Sequence, residues 1–192
     1  MDLYILLDTS GSMEGAKIGA LNDCMQNIVI SLQEYAFNGC SVNIDVMSFA
    51  RSAKWMYDSI KPILDFDWKV LQAGGMTSLG LACMLLSDRL TRQQNTEDKL
   101  LILISDGCPT DDYANDIVAL SNNDCFSKSA RYAIAIGDDA DFQSLATFAS
   151  CIENVYKLSD VSELIGSITN ILEPTVHEVR PPISVEEDDD WS

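Results

Sequence analysis

Asp8, Ser10 and Ser12 are the residues of this chain whose types and spacing best suit chemistry. They place one carboxylate and two hydroxyls on alternate positions of the stretch Asp8-Thr9-Ser10-Gly11-Ser12. On a turn leaving a strand, that pattern points hard oxygen atoms into one small space. Oxygen donors of this kind select Mg²⁺ or Mn²⁺ over zinc or copper, with Ca²⁺ a third candidate. Two later segments supply matching groups. Gly74-Gly75-Met76-Thr77-Ser78-Leu79-Gly80 offers the Thr77 hydroxyl on a Gly-rich loop, and Ser105-Asp106-Gly107-Cys108-Pro109-Thr110-Asp111 offers the Asp106 carboxylate. Taken singly, Asp8, Ser10 or Ser12 could simply cap the helix that follows.

These groups need elements that deliver them to one place. The apolar runs Leu3–Leu7 and Leu100–Ile104 read as buried parallel strands, so Asp8 and Asp106 each leave the carboxyl end of a central strand. In open α/β sheets, sites form outside those ends, where strand order reverses. Ile18, Leu21, Met25, Ile28, Val29 and Leu32 recur at helical spacing and predict a long amphipathic helix that stops near Asn38-Gly39. Val42 to Phe49 alternates as a strand, and Ser52 to Tyr57 reads as a short antiparallel edge strand. Residues 62–68 read as an irregular connection. A helix follows from Leu79 to Leu90, then the Leu100–Ile104 strand, a helix over Asp112–Ser121 and a strand over Tyr132–Ile136. A short helix over Asp141–Ala149, a strand near Asn154–Lys157 and a last helix with Leu164, Ile165, Ile168, Ile171 and Leu172 on one face complete the alternation. Asp160 and Glu163 are spaced as its capping box. Alternating strands and helices imply an α/β fold with a mainly parallel sheet covered on both faces.

Composition narrows the functional classes. The chain has 192 residues, enough for one domain with a substantial core, and 47% of them are hydrophobic. No apolar stretch approaches the roughly 20 residues that span a bilayer. The first strand begins almost at Met1, with no preceding signal segment, so the expectation is a cytoplasmic protein. The net charge of −18 opposes nucleic-acid backbones and anionic membranes. Six scattered cysteines, with no CxxC pair, read as free thiols, and a lone histidine argues against zinc. Asp111 and Asp112 read as caps of the next helix. Beyond Glu173 the character changes: Pro174, Pro181 and Pro182 break structure, and Glu186 to Asp190 is purely acidic. The reading is a folded domain over residues 1–173 and an extended or disordered tail over residues 174–192.

The set Asp8, Ser10, Ser12, Thr77 and Asp106 resembles the metal-ion-dependent adhesion site of von Willebrand factor type A domains, in which DxSxS is followed by Thr and then Asp. Five matching positions on three separate loops argue against mere helix capping. The resemblance implies a doubly wound, six-stranded sheet with one antiparallel edge strand. It further implies that the three hydroxyls contact a divalent metal, while Asp8 and Asp106 act directly or through water. A Glu or Asp carboxylate from a partner protein would complete the shell, so the role is recognition rather than catalysis. DTSGSM, GxTSLG, SDGxPTDD and the stretch from Ala135 to Asp141 are similar to a bacterial TerY-like branch linked with tellurium resistance and stress responses. That branch is associated with a protein kinase and a PP2C-type phosphatase, which implies an adaptor or signalling role.

Two alternatives have definite requirements. A Mg²⁺-dependent phosphatase of the haloacid-dehalogenase type also carries an aspartate after its first strand. It needs a second acid two residues later, where this chain has Ser10. A metal-independent acidic scaffold would recruit basic partners through charge alone. P-loop and dinucleotide sites are excluded, since neither GxxxxGK[ST] nor GxGxxG occurs.

Overall fold

The computed structural model describes residues 1–93, 98–106, 108–138, 140–159 and 163–178, the side chains of residue 165 and residues 173–178 excepted. In chain order the elements are β1 (Asp2–Asp8), α1 (Ala16–Phe37), β2 (Asn43–Phe49), β3 (Ala53–Trp55), β4 (Lys61–Pro62), α2 (Leu79–Arg92) and β5 (Lys99–Ser105). They continue with α3 (Tyr113–Ser121), α4 (Asp124–Lys128), β6 (Ala130–Ile136), α5 (Phe142–Phe148), β7 (Val155–Leu158) and α6 (Leu164–Glu178).

The sheet runs β3-β2-β1-β5-β6-β7, with β4 added beside β2. The pairs β1–β2, β1–β5, β5–β6 and β6–β7 are parallel, while β3 and β4 run antiparallel to β2. The expected six strands therefore form the main path. The two-residue β4 is a seventh, at the start of the segment expected to be irregular. Strand order reverses between β1 and β5: the chain leaves β1 for β2 on one side and returns to β5 on the other. Leu7 pairs with Ile104 in this central register, so the chain leaves both strands at the same level.

Each face of β1 has its own core because successive side chains point to opposite sides. Leu3, Ile5 and Leu7 pack with Leu21, Met25 and Ile28 of α1 and Leu164 and Ile168 of α6. Tyr4 and Leu6 pack instead with Ala82, Cys83 and Leu86 of α2 and Leu120 of α3. Burying one such leucine fully contributes about 1.5–3 kcal/mol. The buried residues of α1 fall at positions 21, 24, 25, 28, 29 and 32, the spacing of one helical stripe. The helix stops where expected, with Gly39 at φ 94°, a conformation open to glycine.

β2 is buried on both faces, as a sheet covered by helices on both sides requires; even Asp45 is only 1% exposed. Two expectations change. Asp111 caps α2 instead of α3: its carboxylate accepts the backbone N–H groups of Gly80 and Leu81, both at 3.1 Å. Asp112 occupies the N-cap position of α3 without a side-chain capping bond. Finally, α6 continues to Glu178 and contains Pro174, so Pro174 does not end it. Proline removes one backbone donor, and the rest of the ladder carries the helix past it. The predicted capping residue Asp160 and residues 179–192 of the predicted tail lie outside the described residues. Among the described residues, no helix is long and apolar enough to cross a membrane.

Candidate metal centre

Three loops leave the carboxyl edge of the sheet at the β1/β5 switch point and are stitched together by main-chain bonds. The first follows β1 and tightens into a 3₁₀ turn over Gly11–Met13, with Met13 buried beneath it. The second, over residues 72–78, precedes α2. Gly11 N–H donates to the Gly75 carbonyl at 2.9 Å, and Gly74 N–H donates to the Thr9 carbonyl at 2.8 Å. Close approach matters here. A Cβ on Gly11 would come within 3.3 Å of that Gly75 oxygen, and Gly75 itself has φ 93°. The third loop follows β5, and Thr110 N–H donates to the Thr77 carbonyl at 2.8 Å.

Within this frame the side chains form one hydrogen-bonded chain. The Asp8 carboxylate accepts Ser10 N–H at 2.8 Å on one oxygen and the Ser105 hydroxyl at 2.5 Å on the other. Ser10 and Ser12 hydroxyls lie 3.1 Å apart, and Ser12 donates to Asp106 Oδ1 at 2.7 Å. The remaining Asp106 oxygen accepts the Lys17 ammonium. Thr77 is buried, and its carbonyl, which also accepts the Thr110 hydroxyl at 3.0 Å, ties it to the third loop. The structure thus joins Asp8, Ser10, Ser12 and Asp106 in one bond chain and ties Thr77 to the loop that follows Asp106.

Burial raises the pKa of Asp8 above the ordinary carboxylate value. The bonds from Ser10 and Ser105 pull it back, and the nearby Asp106 charge raises it again. A buried Asp8 whose ionisation is disfavoured by a neighbouring negative charge is a setting that a cation relieves. Among the described residues, no group of three or more His, Cys, Asp or Glu side chains is placed to hold a metal. The donor set is instead two carboxylates and three hydroxyls, all oxygen. That set fits Mg²⁺ or Mn²⁺, which take a few protein oxygens and keep several waters. Beside Thr9 opens a cleft of about 370 Å³ lined by Ser48, Ser52, Lys54 and Gln72 among others.

Ser105 and Lys17 were not singled out in the sequence. Ser105 adjoins Asp106 at the end of β5, where its hydroxyl meets the end of the parallel neighbour. Lys17 carries no motif; only the fold brings it to a residue 89 positions away.

A doubly wound sheet with an oxygen-rich cluster at its switch point defines a class of α/β domain whose work is done by the loops at one edge. The sequence model of the von Willebrand factor type A domain matches residues 2–171, and the chain belongs to that family. Such domains commonly carry a metal-ion-dependent adhesion site and mediate protein interactions. No curated protein sequence matches the chain.

Solved structures share the fold. The pilus adhesin SpaC from Lactobacillus rhamnosus GG superposes with a TM-score of 0.76 at 14% identity, over 93% of this chain and 31% of the adhesin. Proximal thread matrix protein 1 from the mussel byssus, described with a zinc-occupied MIDAS motif, gives 0.70 at 18% identity, over 91% and 45%. The domain of the type V pili tip protein Mfa5 from Porphyromonas gingivalis gives 0.69 at 14%, over 94% and 96%. The chain spans about a third of the adhesin and under half of the mussel protein. At these identities the likeness establishes the fold.

Proposed function

We propose that the chain is a divalent-metal-dependent protein-binding module without catalytic activity. Asp8, Ser10, Ser12, Thr77 and Asp106 are its metal ligands, directly or through water. The observation that carries this reading is the bond chain from Ser105 through Asp8, Ser10 and Ser12 to Asp106. It gathers two carboxylates and hydroxyls from separate loops at the switch point. A bound Mg²⁺ or Mn²⁺ would supply an open coordination position for a Glu or Asp of a partner. The zinc-occupied MIDAS motif of the mussel protein supports a divalent ion at such a site. It leaves the metal used by this chain to experiment.

The phosphatase alternative still lacks its second acid at Ser10. The acidic-scaffold alternative gives no reason for buried carboxylates to converge. For context we favour an intracellular adaptor, by motif resemblance to the TerY-like branch and its kinase and PP2C-type phosphatase. The six cysteines are all free thiols, with Cys108 and Cys151 exposed, which suits a reducing compartment.

The test is calorimetric titration of Mg²⁺ and Mn²⁺ into chelator-treated protein, wild type and Asp8→Ala. The wild type should take up one ion, and Asp8→Ala should lose at least about tenfold in affinity. Acetate added to the Mn²⁺ form should then lower water-proton relaxation as a carboxylate displaces bound water. Absence of divalent uptake by the wild type would refute the reading.

A further inference from the structure

Lys17 is a charged group bonded to the centre that the proposed ligand set leaves unused. It sits in the first turn of α1, directly after the loop that carries Asp8, Ser10 and Ser12. Its ammonium donates to Asp106 Oδ2, while Ser12 holds Asp106 Oδ1. The Asp106 side chain is fully buried and Lys17 is 30% exposed, so the lysine reaches in from the solvent edge. The first turn is also an unfavourable place for a cation, because the positive end of the helix dipole lies there. No acidic residue of that turn offsets it. A residue that breaks a local rule needs a gain elsewhere, and here the gain is the Asp106 carboxylate.

We propose that Lys17 is a tethered competitor of the divalent ion, which holds Asp106 until the ion displaces it and so weakens and tunes metal affinity. The inference rests on the metal-binding reading above. An ammonium is a compact charge with three donors and no acceptor, on a flexible four-carbon stem. It satisfies one carboxylate oxygen as a single positive charge and leaves by rotating outward into solvent. An ammonium and a divalent ion brought to the same Asp106 oxygen repel each other at contact distance, so binding of one disfavours the other. The fraction of molecules in which Lys17 is withdrawn therefore scales the apparent affinity. An easily displaced occupant also keeps the buried Asp106 charge answered when metal is scarce, where an unpaired buried carboxylate would be costly.

The experiment is calorimetric titration of Mg²⁺ and Mn²⁺ at fixed ionic strength into five forms of the full chain. These are the wild type, Lys17→Met, Lys17→Gln, Lys17→Arg and Lys54→Met. Lys54 is an exposed cation lining the adjoining cleft and controls for general charge effects. The two neutral variants at position 17 should bind the ion about tenfold more tightly or better, because the competent state is no longer shared. Lys17→Arg should stay near wild type, and Lys54→Met should change by less than about twofold. In chelator, Lys17→Met should melt at a lower temperature than wild type and show a larger upward shift when Mg²⁺ is added. A purely structural ion pair predicts the first effect without the gain in affinity. Two neutral variants that bind no more tightly than wild type would overturn the proposal. So would an equal gain from Lys54→Met, which would reduce the effect to bulk charge. If no form takes up a divalent ion, the metal-binding reading fails and this inference falls with it.

Discussion

A carboxylate inside a sheet is tolerated only if something answers its charge, and Asp8 and Asp45 are answered differently. Asp8 receives two hydrogen bonds at the switch point. Asp45, on β2, lies 3.3 Å from the Arg89 guanidinium, and its Oδ2 has no well-aligned donor among the described residues. Arg89 is held in turn by the Tyr57 carbonyl at 3.1 Å and by the Trp55 ring at 4.5 Å. Burial dominates over the attraction of Arg89 and pushes the Asp45 pKa from 3.8 up to about 7. A folded-state value above the unfolded one means that the native protein binds the proton more readily. The Asp45 contribution to stability is therefore greatest below pH 3.8 and is lost as pH rises through about 7. Asp8, also raised, adds a slope of the same sign. Asp45→Asn should remove the Asp45 part and flatten the urea-unfolding midpoint between about pH 4 and 7. Parallel curves for the two proteins would show that Asp45 does not titrate in that range.

At the scale of elements, the loops are held from outside by residues that read locally as something else. Asp111 bridges from the third loop to the N-terminus of α2, so the segment carrying Thr77 is anchored at both ends. Asp111→Ala should lower stability by about 1 kcal/mol, the usual loss of a cap. Asp112→Ala should change it by less than about 0.5 kcal/mol, since Asp112 makes no capping bond. Chemical denaturation of both variants checks the pair, and equal losses would refute the assignment. Gly80→Ala belongs with them: its Cβ would collide with the Asp116 carboxylate and press on Asp111 Oδ2 at 3.1 Å, so both acids must shift. The same contrast explains what was legible in the sequence. β1, β5 and α1 were readable because long apolar runs and helical periodicity are local signals, whereas the sheet order was implied by the family resemblance. The five candidate positions stood out because their types recur at a characteristic spacing, and the fold gathers Asp8, Ser10, Ser12 and Asp106 among them into one bond chain. The burial of Asp45 was not legible, because a period of two cannot tell water from a partner helix on the second face. Lys17 and Ser105 were invisible because their meaning lies in partners 89 and 97 residues away. The cap from Asp111 was misassigned for the same reason, since sequence proximity favoured α3.

At the scale of the whole molecule, a chain with a net charge of −18 repels itself, and any added salt relieves that repulsion. Screening of exposed charges is unspecific and depends on ionic strength, with a Debye length of about 10 Å at 0.1 M. A cation held by the proposed set Asp8, Ser10, Ser12, Thr77 and Asp106 would act differently. It would bind only the folded state, in which these loops converge, and its effect would follow mass action. At a hundredfold excess over its dissociation constant the gain is about 2.7 kcal/mol, or about 5–10 °C for a domain of this size. The two contributions separate when MgCl₂ and NaCl are compared at matched ionic strength. Wild type should melt higher in MgCl₂ by that margin, with the difference rising logarithmically with Mg²⁺ concentration. Asp8→Ala, with at least about tenfold lower affinity, should show at most about half of that margin, because screening alone needs no site. Equal melting temperatures for wild type in the two salts would mean that charge alone accounts for the stabilisation, and that the acidic loops act as a surface and not as a ligand set.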